Sequence, residues 1–156
     1  MSGLSWLTIL RKRENFRAAF RGFEPAVVAR FGARDAARLM NDAGIVRNRA
    51  KIDATITNAR RYADLVGEAG SFAAYVWRYA PKPRRRLLKR EELMQITTSE
   101  EAVAMSKDLR RRGWGFVGPT TVYSFMQAMG LVNDHLRGCT AGVEVLRLRK
   151  DFVPPR

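Results

Sequence analysis

Apolar residues recur along most of this chain at the spacing of an α-helix, and no stretch shows the strict alternation of a half-buried β-strand. Proline and glycine divide this pattern into segments. Pro25 and Pro119 stand where helices would begin, and Gly130 stands where one would end. We therefore predict an all-α protein, a single helical domain of about eight helices without internal repeats.

The predicted helices leave one irregular stretch, the basic segment 81–95. Ser71 is expected to cap one helix, and Thr98-Ser99-Glu100-Glu101 has the form of a capping box that opens another. The helices are predicted over residues 4–20, 25–32, 35–41, 48–66, 72–79, 100–112 and 119–130, and a final short helix is expected to hold His135 and Cys139.

The charge balance favours a polyanionic partner. The chain carries 29 Lys and Arg against 15 Asp and Glu, a net charge of +14, and such an excess favours nucleic acid or an anionic membrane surface. No apolar run approaches the roughly 20 residues that span a bilayer, and the first residues lack the features of a signal peptide. Cys139 is the one cysteine and cannot form an internal disulfide, which favours a reducing compartment. We expect a cytoplasmic, nucleoid-associated protein that binds nucleic acid and no membrane.

Segment 39–52 predicts two helices joined by a tight turn around Gly44. The turn would expose backbone N–H groups, and the positive end of the following helix would point the same way. Arg47, Arg49 and Lys51 add side-chain charge, so the segment is suited to hold one or two DNA phosphates. The alternative is an ordinary pair of helices with a solvated basic face, and the spacing alone favours that alternative.

Some aromatic and polar residues have both a structural and a functional interpretation. Trp6 is either a core anchor or a platform on which a base stacks. Tyr123 and Gln127 share a predicted helix face, so their polar groups either belong to the core or line a pocket. The run Arg110-Arg111-Arg112 is either a solvated patch or a phosphate contact.

His135 and Cys139 are the only histidine and cysteine of the sequence, and they lie four residues apart. On a helix this spacing brings both side chains to one face, where an imidazole and a thiolate suit a single zinc ion. Structural zinc takes four such ligands, so the pair is either a coincidence or half of a metal site.

Several blocks, in order and nearly without gaps between residues 3 and 139, match one family together. The blocks are Gly3-Leu4-Ser5-Trp6, residues 9–16, Asp42-Ala43-Gly44-Ile45 with Arg47 and Lys51-Ile52, Phe116-Val117-Gly118, residues 123–128, and the highly specific Gly130-Leu131-Val132-Asn133-Asp134-His135. The sequence strongly resembles the type I DNA-3-methyladenine glycosylases, which belong to the helix-hairpin-helix superfamily. The resemblance identifies segment 39–52 as the DNA-binding hairpin, against the preference from spacing alone.

The resemblance implies hydrolysis of the N-glycosidic bond of 3-methyladenine in alkylated double-stranded DNA, after the base is flipped into a pocket. Alkylation leaves the purine cationic and a good leaving group, so recognition of the base matters more than a strong general base. By the same resemblance Trp6 is a pocket aromatic, and the loop of Gly3 and Leu4 is similar to the one that fills the gap left by the flipped base. We assign Tyr123 and Gln127 to the same pocket.

Family members begin with a further segment that has no counterpart in this sequence. It supplies a Cys, a His, pocket aromatics and the glutamate that recognises the base, so we assign no catalytic residue here. His135 and Cys139 match the other half of the family's zinc clasp, and we expect weak zinc binding or none. We expect residues 1–139 to form a glycosylase-like domain whose amino-terminal part is missing, and 140–156 to form a basic tail.

Three functions are compatible with the sequence. The first, which the resemblance favours, is a monomeric DNA glycosylase of this family, a hydrolase of base-excision repair. The second is a truncated, non-catalytic, basic DNA-binding protein that retains the hairpin but lacks the pocket. The third, an RNA- or ribosome-associated protein, fits the charge but has no motif behind it. Because the recognising glutamate is missing, we expect residues 1–156 alone to release little 3-methyladenine.

Overall fold

A computed structural model describes residues 5–155, and of Trp6 the backbone alone. The described chain is helical, and its β-structure is one isolated bridge between Leu88 and Leu136. The elements are α1 (Trp6–Arg11), α2 (Arg13–Ala19), a 3₁₀ helix (Arg21–Phe23), α3 (Pro25–Val28), α4 (Ala33–Asn41), α5 (Arg49–Ala69), α6 (Phe72–Trp77), α7 (Arg90–Met94), α8 (Glu100–Arg111), α9 (Pro119–Ala128) and α10 (Thr140–Leu148). The predicted all-α class is confirmed. None of the described helices combines the length and apolarity needed to cross a membrane.

The predicted capping residues begin their helices. The hydroxyl of Ser71 accepts a hydrogen bond of 2.9 Å from the N–H of Ala74, and Ser99 accepts one of 3.2 Å from Ala102. Pro119 occupies the first turn of α9. The two serines accept hydrogen bonds from N–H groups that have no partner within the helix, and proline has no N–H group to satisfy. These residues therefore fix where the helices start.

The helices differ from the predicted ones at Lys12 and in the basic segment 81–95. The helix predicted over residues 4–20 is divided at Lys12, whose φ of −95° and ψ of 4° are not helical. The basic stretch predicted to be irregular contains the short helix α7. Glu92 stabilises its start, because the carboxylate accepts the N–H of Lys89 at 2.7 Å and pairs with Arg86 at 2.6 Å.

The predicted final helix over His135 and Cys139 is wrong. Residues 131–139 form bends and turns, and α10 begins only at Thr140, with Cys139 as its N-cap. Gly138 has a φ of 90°, which a right-handed helix cannot contain. The segment beyond residue 139, predicted as a basic tail, therefore contains an ordered helix.

The described chain divides into two compact units. The first comprises the described residues up to Glu68 together with Arg111–Phe116. Its core lies between α2, α3, α4 and the first half of α5, where Phe20, Leu39 and Ile52 are almost completely buried. Arg60 of α5 closes the end of α3, since its guanidinium donates to the carbonyl oxygens of Ala29 and Phe31 at 2.9 and 2.8 Å.

The second unit comprises Ala69–Arg110 and Val117–Arg156. Its most deeply buried side chains come from α8, α9 and the turn after α9, including Met105, Met126 and Leu131. Helix α10 belongs to this unit and is held by the buried Asn133, whose amide donates to the carbonyl of Gly142 at 3.0 Å.

Candidate functional site

The turn between α4 and α5 in the first unit is built around Gly44. Asp42 Oδ1 accepts the N–H of Gly44 at 2.7 Å, and a Cβ at position 44 would lie 2.9 Å from that oxygen. The ammonium of Lys12 donates to the carbonyls of Ala43 and Gly44 at 2.9 and 3.1 Å. Asn15 donates to the Gly44 carbonyl as well, at 3.1 Å. The turn is therefore rigid, and the N–H of Gly44 is bonded within the protein.

The three cations predicted to bind DNA follow this turn, but their surroundings differ. Arg47 is exposed, with no ion pair to another described residue. Arg49 pairs with Asp53 one helical turn later, at 2.8 Å. Lys51 is partly buried, and its ammonium lies 5.9 Å from the centre of the Phe116 ring. Asn48 caps α5 by accepting the N–H of Lys51 at 3.0 Å, so the start of this helix is fixed by a side chain.

In the second unit, Tyr123 and Gln127 point their polar groups at the same carboxylate. Asp134 Oδ2 accepts the Tyr123 hydroxyl at 2.7 Å and the Gln127 amide at 2.8 Å. The guanidinium of Arg84 contacts the other oxygen, Oδ1. The Asp134 side chain is only 10% exposed, so its charge depends on these three donors for stabilisation.

The hydrogen bonds around Asp134 and the burial of its neighbours shift the pKa values in this network. Burial acts to raise the pKa of Asp134, but the hydrogen bonds from Tyr123, Gln127 and Arg84 outweigh it, and the pKa is lowered. Burial, and then the hydrogen bond to Asp134, raise the pKa of Tyr123 to about 12. At neutral pH the network is therefore an ionised carboxylate that faces a neutral phenol and a guanidinium.

Tyr123 and Arg84 also line a cavity of about 240 Å³ within the second unit. Leu131, Val132 and Asn133 form part of its wall, and Gln127 is not among the lining residues. The structure thus connects the two predicted pocket residues through Asp134, while only Tyr123 borders this cavity.

His135 and Cys139 approach each other although they do not share a helix. His135 Nδ1 lies 3.4 Å from Cys139 Sγ. With ordinary zinc–nitrogen and zinc–sulfur bonds, two ligands of a tetrahedral zinc ion are separated by about 3.5 Å, so this pair fits one side of such a site. Among the described residues, no third His, Cys, Asp or Glu joins them in a metal-binding cluster.

Three predicted residues lie wholly or partly outside the description. Gly3 and Leu4 are outside the described residues, and of Trp6 only the backbone, at the start of α1, is described. Asp134 and Arg84, which organise Tyr123 and Gln127, were not among the predicted site residues. A clue was present, because Asp134 is the only carboxylate between Asp108 and Glu144.

Comparisons with known proteins connect both units to one group of proteins. The sequence model of a family described as methyladenine glycosylase matches residues 1–142. The chain is 48% identical over 139 residues to DNA-3-methyladenine glycosylase 1 of Escherichia coli, which covers 88% of this chain and 74% of the relative. It is 40% identical over 140 residues to the DNA-3-methyladenine glycosylase of Haemophilus influenzae, with 88% and 75% covered.

Solved structures give the same result. A crystal structure of 3-methyladenine DNA glycosylase I matches with a TM-score of 0.81 and 44% identity, over 89% of this chain and 76% of that one. A structure of the Staphylococcus aureus enzyme, described as giving the structural basis of 3-methyladenine recognition, matches with a TM-score of 0.83 and 40% identity, over 90% and 75%. The chain thus spans about three quarters of the length of each of these proteins.

Proposed function

The chain belongs to the methyladenine glycosylase family, and we propose on this basis that it is a base-excision-repair glycosylase that hydrolyses the N-glycosidic bond of 3-methyladenine in alkylated DNA. The observation that carries the proposal is the family match over residues 1–142. Relatives 48% and 40% identical bear that activity in their names. The comparisons favour this function over the alternative of a non-catalytic DNA-binding protein.

The chemistry needs recognition more than acid–base power. The methylated adenine carries a positive charge while it is bonded to the sugar, and it leaves as a neutral base. A pocket that binds the departing base more tightly than the bonded one therefore lowers the barrier. The target must first leave the base stack, because the glycosidic bond is inaccessible within the duplex. We propose that Trp6 stacks on the flipped base and that Tyr123 and Gln127, oriented by Asp134, form another wall of the pocket.

We further propose that α4, the turn around Gly44 and α5 form a helix-hairpin-helix that binds the phosphates of the duplex. The rigid turn and the exposed Arg47 support this role, and Lys51 adds a second cation close by. The Gly3–Leu4 loop would fill the space left by the flipped base. A rigid hairpin reads the backbone and not the sequence, which suits an enzyme whose lesion occurs in any sequence.

For His135 and Cys139 we propose half of a zinc site. Their separation of 3.4 Å supports it. A zinc ion there would crosslink the turn before α10 and would not act on the base, because a structural tetrahedral site leaves no open position. The described residues supply two ligands, so we expect this chain to hold zinc weakly or not at all.

Alkylated double-stranded DNA is the proposed substrate, and a monomer associated with the nucleoid in the cytoplasm is the proposed form. The test is release of free 3-methyladenine from methylated duplex DNA by the protein expressed from its own chromosomal locus and purified through a carboxy-terminal tag. We expect release above a control without protein, and strong loss of release in Trp6→Ala. Intact DNA binding without any release would instead support the non-catalytic alternative.

A further inference from the structure

Phe116 combines two unfavourable features. Its φ of 57° lies in the left-handed region, which residues with a bulky side chain rarely adopt. Its ring gains little from folding, because 56% of the residue's surface is exposed. Neighbouring groups must impose such an arrangement, and strained residues of this kind are concentrated at sites that contact ligands.

Asn58 of α5 imposes the conformation at Gly115, the residue before Phe116. The N–H of Gly115 donates to Asn58 Oδ1 at 2.8 Å, and the Asn58 amide donates back to the Gly115 carbonyl at 3.1 Å. A Cβ on Gly115 would lie 3.0 Å from the Cβ of Ala54. A side chain here would crowd α5, and the two hydrogen bonds to Asn58 hold the backbone against that helix just before the exposed ring.

The two aromatic residues of this segment have opposite environments. Trp114 lines an apolar cavity of the first unit together with Phe23, Val28 and Tyr62. Trp114 therefore contributes to the interior, while Phe116, two residues later, presents its ring at the surface. Packing accounts for the presence of Trp114 but not for the exposed aromatic ring of Phe116.

A cation from the proposed DNA-binding hairpin lies beside the exposed ring. Lys51 Nζ is 5.9 Å from its centre, within the range of a cation–π interaction. In duplex DNA the apolar faces of the bases lie next to rows of charged phosphates. An apolar ring with an ammonium group beside it can therefore contact a base and a phosphate at the same time.

We propose that Phe116 contacts the bases of duplex DNA, with its ring packed on a base step while Lys51 contacts a neighbouring phosphate. The strained backbone holds the ring outward before DNA arrives, so less conformational freedom is lost on binding. This assignment rests on the proposed DNA glycosylase function and adds an apolar contact that the charged hairpin residues do not supply.

Phe116→Gly tests the proposal without endangering the fold, because glycine readily adopts a positive φ. Binding of the full chain to a short duplex with one abasic-site analogue is measured at several salt concentrations. We expect the dissociation constant to rise about ten-fold, near the lower end of the range for removal of one base-stacking aromatic residue, with an unchanged salt dependence. Lys51→Gln should instead reduce the slope of log K against log salt by about one phosphate contact. Phe116→Tyr should bind as the wild type does.

Phe23 provides a matched control. It too has a positive φ, 59°, and is 46% exposed, but its ring stacks on Phe20 with centres 5.2 Å apart. Phe23→Gly should leave DNA affinity unchanged. Wild-type affinity in Phe116→Gly would overturn the role of Phe116, and release of 3-methyladenine by the protein expressed from its own locus would leave the proposed function standing. A wild type that neither binds the duplex nor releases the base would overturn both.

Discussion

The hydroxyl of Tyr123 donates a hydrogen bond of 2.7 Å to Oδ2 of Asp134, eleven residues later in the chain. Asp134 is thereby tied to α9, from which the buried Tyr123 and the exposed Gln127 both approach it. Because the same carboxylate contacts Arg84, one residue joins α9 to the basic segment before α7. The geometry of a proposed pocket wall therefore depends on a residue that lies outside α9.

Tyr123→Phe and Asp134→Asn should destabilise the protein non-additively. Each change weakens the same charge-assisted hydrogen bond, which contributes about 1.5–3 kcal/mol when one partner is ionised. We expect each single variant to lose about 1–2 kcal/mol of unfolding free energy, and the double variant to lose at least about 0.5 kcal/mol less than the sum. Urea unfolding of the four proteins measures this coupling. Strict additivity would mean that the two residues do not interact.

The contribution of Asp134 should disappear in acid. Its pKa is lowered in the folded state, so its stabilisation is complete above the unfolded value, 3.8, and is lost as the pH falls below that value through the folded pKa. Tyr123 behaves in the opposite way: with its pKa raised to about 12 from 10.0, its contribution to stability is lost as the pH rises through that interval.

The acid loss can be measured as the difference in unfolding free energy between the wild type and Asp134→Asn from pH 7 to pH 2. This difference should narrow at the acid end, because the wild-type carboxylate becomes protonated there. A constant difference would contradict the ionised state of Asp134.

Most helix starts could be predicted from the sequence because the interactions that fix them are local. Ser71 and Ser99 bond to N–H groups three residues away, and Pro119 lacks an N–H altogether. The error at His135 and Cys139 has another origin. Spacing of four residues is compatible with a helix, but a turn through Gly138, with its φ of 90°, brings the two side chains together instead.

The candidate site was only partly predictable for a related reason. Arg47, Arg49 and Lys51 are close in sequence, so their common location follows from local structure, with Arg47 just before α5 and the other two in its first turn. The partners of Asp134 lie 50, 11 and 7 residues away on other elements, and no local pattern encodes such contacts. Helix α7 was missed for a different reason: Glu92 makes local contacts with Lys89 and Arg86, but the residue at the N-cap is a lysine and not one of the usual capping residues.

Gly142→Ala should destabilise the protein although it lies in a helix, where alanine is normally preferred. A Cβ at position 142 would lie 2.5 Å from the Cβ of His135 and 3.0 Å from a methyl group of Leu87. The overlap should cost about 1–3 kcal/mol, more than the roughly 0.5–1 kcal/mol gained in helix propensity. Gly67→Ala is the matched control, because nothing lies within 4 Å of its added Cβ, and it should raise the melting temperature. A Gly142→Ala variant as stable as Gly67→Ala would contradict the close packing of α10.

The chain of residues 1–156 should contain far less than one zinc ion per molecule after purification. His135 and Cys139 are the only histidine and cysteine in the sequence, and a structural site takes four ligands. Metal analysis of the purified protein tests this, with Cys139→Ser as the control, whose zinc content should equal that of the wild type. Near-stoichiometric zinc in the wild type and its loss in Cys139→Ser would show that other groups complete the site.

DNA affinity should fall steeply with salt, and Arg47 should contribute more to that dependence than Arg49. Each phosphate contact releases counterions and adds about 0.9 to the slope of log K against log salt. Arg47 is exposed and has no ion pair to another described residue, so Arg47→Gln should remove about one such contact. The charge of Arg49 is already compensated by Asp53 at 2.8 Å, so Arg49→Gln should change the slope less. Fluorescence anisotropy with a labelled duplex between about 50 and 200 mM salt measures all three slopes. Equal slopes in both variants would show that the ion pair with Asp53 does not reduce the contribution of Arg49 to DNA binding. A wild-type affinity independent of salt would exclude the hairpin as a phosphate-binding element.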